Sequence, residues 1–143
     1  MKKLLHIIAT PRGEDSRSLR VSEVFLDAFR KKYPNCFIDE FNVATEPLPP
    51  ITLKMIHGKY ILLGGKALTE NVLDAWRIIE QHIERFLSAD GYLITTPMWN
   101  FSIPYTLKQY IDIIVQPKYL FRYTEKGVEG LAKNRKMVVI SSR

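Results

Sequence analysis

Two rhythms of apolar and polar residues alternate along the chain. Lys3 to Ala9 (KLLHIIA) is almost continuously apolar, as in a strand covered on both faces. A polar loop, TPRGEDSRS, follows. Val21, Val24, Phe25, Ala28 and Phe29 then recur at helical spacing, which predicts a helix from about Ser18 to Lys32, stopped by Pro34. CFIDEFNV alternates like a strand with one more exposed face. The Pro-rich TEPLPPITLK is a long connection, and the stretch around KYILLGG is left open between a strand, a helical turn and a flexible lid. Val72, Ala75, Trp76, Ile79, Ile83, Phe86 and Leu87 trace one face of a long helix. DGYLITT is the next strand. Leu107, Tyr110, Ile111, Ile114 and Val115 mark another helix, with Ser102 as its expected N-cap and Pro104 near its first turn. YLFRYTEKGVEGL reads as a small hairpin or excursion, and KMVVISS as a last strand.

Strands alternating with helices imply an α/β fold: a doubly wound parallel sheet with right-handed crossovers and helices on both faces. A chain of 143 residues fits a single domain, 1–143, with one core. Ligands of such sheets sit beyond the carboxyl ends of the strands, where strand order reverses. Three loops should meet there: Thr10 to Ser18, Pro97 to Phe101, and Ser141 to Arg143.

Composition narrows the classes. No run approaches the ~18 apolar residues of a membrane span. MKKLLHIIAT imitates a signal peptide, but PRGEDSR stands where cleavage-site residues should be, so a cytoplasmic protein is expected. The single cysteine, Cys36, leaves no disulfide framework and no metal spacing. The net charge of +6 favours anionic partners, yet the cations are spread over helix and strand ends, which argues against nucleic acid.

Two loops carry chemistry. Free amides at a helix start, with Thr10, Ser16 and Ser18, suit a phosphate, or Ser16 or Ser18 simply caps the helix. The loop lacks the spacing of a P-loop and the glycines of a dinucleotide fingerprint. In PMWNF, Met98, Trp99 and Phe101 offer an apolar wall for a planar ring, with Asn100 to read its polar edge. The alternative is that the aromatics fold back as a plug. His6, inside an apolar strand, is expected to be a satisfied core imidazole. Asp39 and Glu40 occupy adjacent strand positions and face opposite ways, a poor acid–base pair. No metal site and no catalytic side chain is nominated.

Taken together, TPRGEDSRS, TPMWNFSIPYTLKQYID, FRYTEKGVEGL and the closing VISSR resemble the FMN-dependent NADH-azoreductases, flavodoxin-like proteins akin to the NAD(P)H:quinone reductases. The likeness runs along essentially the whole chain. It implies a flavodoxin-like three-layer sandwich. It further implies that Thr10, Ser16, Arg17 and Ser18 hold the flavin phosphate, that Pro97, Met98, Trp99, Asn100 and Phe101 line the ring, and that Ser142 and Arg143 begin a third flavin loop. Phe121 and Tyr123 fall where similar proteins border the substrate pocket. Implied with them are FMN as cofactor, NADH as donor (with NADPH allowed), a quinone or azo acceptor, and a homodimer. Similar proteins continue past Arg143 with a loop holding two glycines, a strand and a helix. The expectation is therefore a C-terminally incomplete chain whose last strand is an open edge. Rival readings are a flavodoxin-type electron carrier and a degenerate domain without catalysis.

Overall fold

The first apolar run becomes a central strand of the computed structural model, which describes residues 1–143. In chain order the elements are β1 (Lys3–Ile8), α1 (Arg17–Lys32), β2 (Phe37–Asn42), α2 (Leu53–Leu63), α3 (Glu70–Leu87), β3 (Gly91–Pro97), α4 (Tyr105–Ile114), β4 (Phe121–Thr124), β5 (Gly127–Gly130) and β6 (Lys136–Ser142). Contacts group them into two compact units. One comprises Met1–Leu48, Ser88–Tyr110 and Arg135–Arg143, the other Pro49–Leu87 and Ile111–Asn134.

The first unit holds a parallel four-stranded sheet of order β2-β1-β3-β6. The chain builds β2 on one side of β1 and β3 on the other, so the order reverses between β1 and β3. Loops leaving those two strands part there and open a crevice. On one face, Leu4, Leu26 and Leu93 form a buried nucleus flanked by Phe25, Phe29, Cys36, Ile38 and Ile140. Fully burying a leucine contributes about 1.5–3 kcal/mol, so this small cluster fixes α1 on the sheet. On the other face Phe41 meets Tyr110 edge-on at 5.2 Å. The strands thus carry helical cover on both faces, as expected. Asp39 and Glu40 do point apart: Asp39 pairs with Lys3 Nζ at 2.9 Å, whereas Glu40 lies beside His6.

Helix α1 departs from its predicted face. Val21 and Val24 are exposed, and the buried stripe is Ser18, Ser22 and Leu26. The reason lies on the strands beneath, where Thr95 of β3, itself bonded to His6 of β1, meets the Ser22 hydroxyl. The last strand matches its expectation more closely: β6 pairs only with β3, and Met137, Val138 and Val139 are exposed.

In the second unit the undecided stretch is helix α2. Thr52 caps it, accepting from the Met55 amide at 3.4 Å, and Gly64 and Gly65 close it. Its apolar residues surround the axis rather than forming a stripe, which is why periodicity left it open. Helix α3 buries the stripe foretold for it: Val72, Trp76, Ile79, Ile83 and Phe86. Trp76 lies against α2 at Gly58, and its Nε1–H donates to the Met55 carbonyl at 3.2 Å. FRYT and GVEG form an antiparallel hairpin whose turn uses Gly127 at φ 111°. Arg122 and Lys133 both contact the Glu129 carboxylate and hold it below the usual range. No helix is long and apolar enough to cross a membrane.

Candidate functional site

Residues from all three expected loops border one open depression of about 190 Å³ at the crevice of the first unit. The loop after β1 supplies Thr10, Arg12, Ser16 and Arg17; the loop after β3 supplies Pro97, Met98 and Trp99; β6 ends there with Ser142 and Arg143. Two backbone bonds tie the walls: Ala9 N–H donates to Thr95 O at 2.8 Å, and Met98 N–H to Ser142 O at 2.7 Å. The space is smaller than the roughly 300 Å³ of a fully enclosing ligand pocket. It suits the anionic end of a ligand, with Met98 and Trp99 as exposed apolar surface beside it.

The donor set is that of a phosphate cradle. Ser16 is the N-cap of α1, its Oγ accepting from the Leu19 amide at 3.3 Å. Capping and ligand-holding were alternatives in the sequence; the geometry allows both, since the Arg17 and Ser18 amides at a helix start have no intrahelical acceptor. Thr10 is 1% exposed, and its Oγ1 accepts from the Arg12 amide at 3.3 Å, which folds the loop back. Arg12 and Arg17 add two exposed cations. The position of Arg12, two residues past the Thr10 hydroxyl, is the signal in the sequence for its place at the rim. Ser16→Ala should lower the stability of the first unit by about 1 kcal/mol through loss of the cap. Urea unfolding checks this, and an unchanged midpoint would remove Ser16 from the capping role.

Five expected site residues take places away from the depression. Ser18 is fully buried and reaches the depression only through Ser16, Oγ to Oγ at 3.1 Å. Asn100 and Phe101 are the centre of a two-residue turn. Their φ values are 49° and 62°, and Trp99 and Ser102 exchange both backbone bonds at 2.9 Å. Two successive left-handed residues define a type I′ turn, usually built with glycine. Phe101 at its apex is 98% exposed, so it neither lines the depression nor folds back as a plug. This turn also corrects Ser102, which pairs with Trp99 instead of capping α4; the Pro104 carbonyl accepts the first helical bonds from Leu107 and Lys108. Phe121 and Tyr123 belong to β4 of the second unit, ring to ring at 5.7 Å.

His6 is wholly buried, but only half satisfied. Its Nε2 is 2.7 Å from Thr95 Oγ1; Nδ1 has no hydrogen-bond partner, the nearest carboxylate oxygen being Glu40 Oε1 at 4.0 Å. Burial, and secondarily the Arg30 guanidinium, push its pKa down to about 4, so the ring is neutral near pH 7.

A parallel sheet ordered 2-1-3, with hydroxyls and a helix start at its switch point, is the framework of flavodoxin-like proteins. The family model described as "Flavodoxin-like fold" matches residues 2–143. An FMN-dependent NADH:quinone oxidoreductase of Nitratidesulfovibrio vulgaris is 37% identical over 143 residues, covering all of this chain and 68% of the relative. Another so named, from Desulfotalea psychrophila, is 40% identical, again covering all of this chain and 68% of its own length. Among solved structures, an azoreductase from Bacillus anthracis superposes with a TM-score of 0.85 at 31% identity, over 99% of this chain and 68% of its own. An FMN-dependent NADH-azoreductase of that organism, in complex with FMN, gives 0.82 at 32% identity, over 99% and 69%. The chain belongs to this flavodoxin-like family of FMN-dependent quinone oxidoreductases and azoreductases.

Proposed function

We propose that the chain is an FMN-dependent oxidoreductase that passes electrons from NADH, by way of the flavin, to quinones or azo compounds. The observation that carries this reading is the meeting of three strand-end loops around one hydroxyl- and arginine-bordered depression, next to exposed Met98 and Trp99. Names and sequences of the relatives support it. The family model spans both compact units, which supports treating residues 1–143 as one flavin-binding domain.

Bound flavin supplies the redox chemistry, accepting hydride from a nicotinamide and returning electrons to a flat acceptor. The chain's own task is to bind, orient and exclude water. Thr10, Ser16 and the first-turn amides hold the phosphate, Ser18 backs Ser16, and Arg12 and Arg17 neutralise its charge. Pro97, Met98 and Trp99 would hold the ring and shield it from water. The turn of Asn100 and Phe101 offers backbone and amide groups to its polar rim, and Ser142 and Arg143 close the third side. Phe121 and Tyr123 are assigned to the acceptor's pocket on the resemblance. The same resemblance supports a cytoplasmic homodimer, which static light scattering or sedimentation would test for its oligomeric part.

The test is optical. Protein loaded with FMN should be yellow, bleach with NADH under anaerobic conditions, and regain colour on addition of benzoquinone or an azo dye. Yellow protein indifferent to NADH would instead be a carrier, and failure to take up FMN would end the reading. Trp99→Ala should weaken FMN retention about tenfold through loss of ring contact. If retention is unchanged, the ring does not lie on Trp99.

A further inference from the structure

The stripe that α1 turns toward the sheet contains two serines where leucine, valine and alanine would fill the space without desolvating polar groups. Ser22 Oγ stands 2.5 Å from Thr95 Oγ1, and His6 Nε2 2.7 Å from the same hydroxyl. Ser22 Oγ also donates to the Ser18 carbonyl at 3.0 Å. All four residues are buried. Proton counting sets the direction of this chain. A carbonyl can only accept, so the single hydroxyl proton of Ser22 goes to Ser18 O. Ser22 Oγ must then accept from Thr95, whose own proton is thereby used. Thr95 Oγ1 in turn accepts from Nε2–H of His6. Of the two neutral tautomers of His6, only the one with its proton on Nε2 satisfies every link, and it leaves Nδ1 bare, facing Glu40 of β2, with Arg30 of α1 as the nearby cation.

The series therefore runs one way, from β1 through β3 into the first turn of α1. Ser18, at its end, touches Ser16, which borders the depression. Buried polar networks of this kind stabilise little compared with apolar packing of the same volume. What they do is fix one relative placement of the elements they join. Here those elements are two strands whose ends carry the loops of the site, and the helix start whose amides face it.

We propose that His6, Thr95 and Ser22 are positioning residues for the phosphate cradle, a one-way hydrogen-bond relay that locks the first turn of α1 onto β1 and β3 so that Ser16 and the helix amides meet the flavin phosphate. The proposal rests on reading the depression as the flavin phosphate site. It assigns the relay to the phosphate end of the ligand and not to the ring.

That division makes it testable with two ligands differing only in the phosphate, FMN and riboflavin, titrated by flavin fluorescence quenching. The parent protein should prefer FMN. Thr95→Val keeps the shape and removes the central hydroxyl; it should cut the FMN-over-riboflavin preference about tenfold while changing riboflavin affinity less than about twofold. Ser22→Ala should do the same, and Thr95→Ser, which keeps the hydroxyl, should restore the preference to within about threefold of the parent. A general loosening of the fold would weaken both flavins alike and leave the ratio unchanged. An unchanged ratio in both Thr95→Val and Ser22→Ala, whatever the absolute affinities, overturns the relay. A parent protein that does not distinguish the two flavins would instead overturn the functional reading, and the relay with it.

Discussion

Gly58→Ala is expected to destabilise the helical unit by about 3 kcal/mol, a larger effect than any single change at the depression. A Cβ built at Gly58 would stand 1.9 Å from Trp76 Nε1 and 2.5 Å from its Cε2, distances no side chain adopts. The indole must move, and it is wholly buried. Moving it breaks the Nε1–H bond to the Met55 carbonyl and disturbs its stacking on Tyr119, ring centroids 6.2 Å apart. Alanine's better helix propensity returns only about 1 kcal/mol. Urea unfolding should show a lower midpoint at unchanged slope. Gly130→Ala, where an added Cβ meets nothing within 4 Å, should leave the midpoint nearly in place. Equal stability of the Gly58→Ala protein and the parent would mean that α2 and α3 are less closely packed than described.

The second large effect is a pH dependence from His6. Its folded pKa, about 4, lies below the 6.5 of an exposed imidazole. The unfolded chain therefore binds the extra proton first as pH falls, and stability declines through that window. It is fully present above about pH 6.5 and lost progressively toward pH 4. Between about pH 7.5 and pH 5 the loss should be on the order of 2 kcal/mol. Two carboxyls act with the same sign at lower pH: that of Asp90, held down by the Lys2 and Lys3 amides, and that of Glu129, held down by Lys133 and Arg122. Unfolding curves at the two pH values, for the parent and for His6→Leu, isolate the histidine. A variant that keeps the full slope would assign the titration elsewhere.

Much of this architecture was legible as rhythm. KLLHIIA is apolar throughout because β1 is covered on both faces, and the α3 stripe is visible because one side of that helix is buried continuously. The loops at the depression could be placed because a parallel sheet sends its strand ends to one edge. Other features escaped for physical reasons. Ser18 read as a helix cap or phosphate ligand, and nothing in the sequence marked Ser22; only the three-dimensional pairing of Ser22 with Thr95, itself bonded to His6, explains the buried polar stripe. The left-handed turn at Asn100 and Phe101 carries no glycine, and Asn100, which tolerates that conformation, is its only local signal. Consequently Phe101 read as a wall of the site, whereas it projects from a tip. Arg12 reaches the rim because the loop after β1 folds back through the Thr10 hydroxyl.

One further consequence follows from β6. Its outer rim presents a line of main-chain donors and acceptors with no neighbouring strand, flanked by Met137, Val138 and Val139 in water. Any extended peptide, including another molecule's own KMVVISS, can zip onto such a template. Handling of this 143-residue polypeptide is thus governed by colloid physics as much as by its flavin chemistry: turbidity should grow with protein concentration, and a lysine placed at Val139 should suppress it.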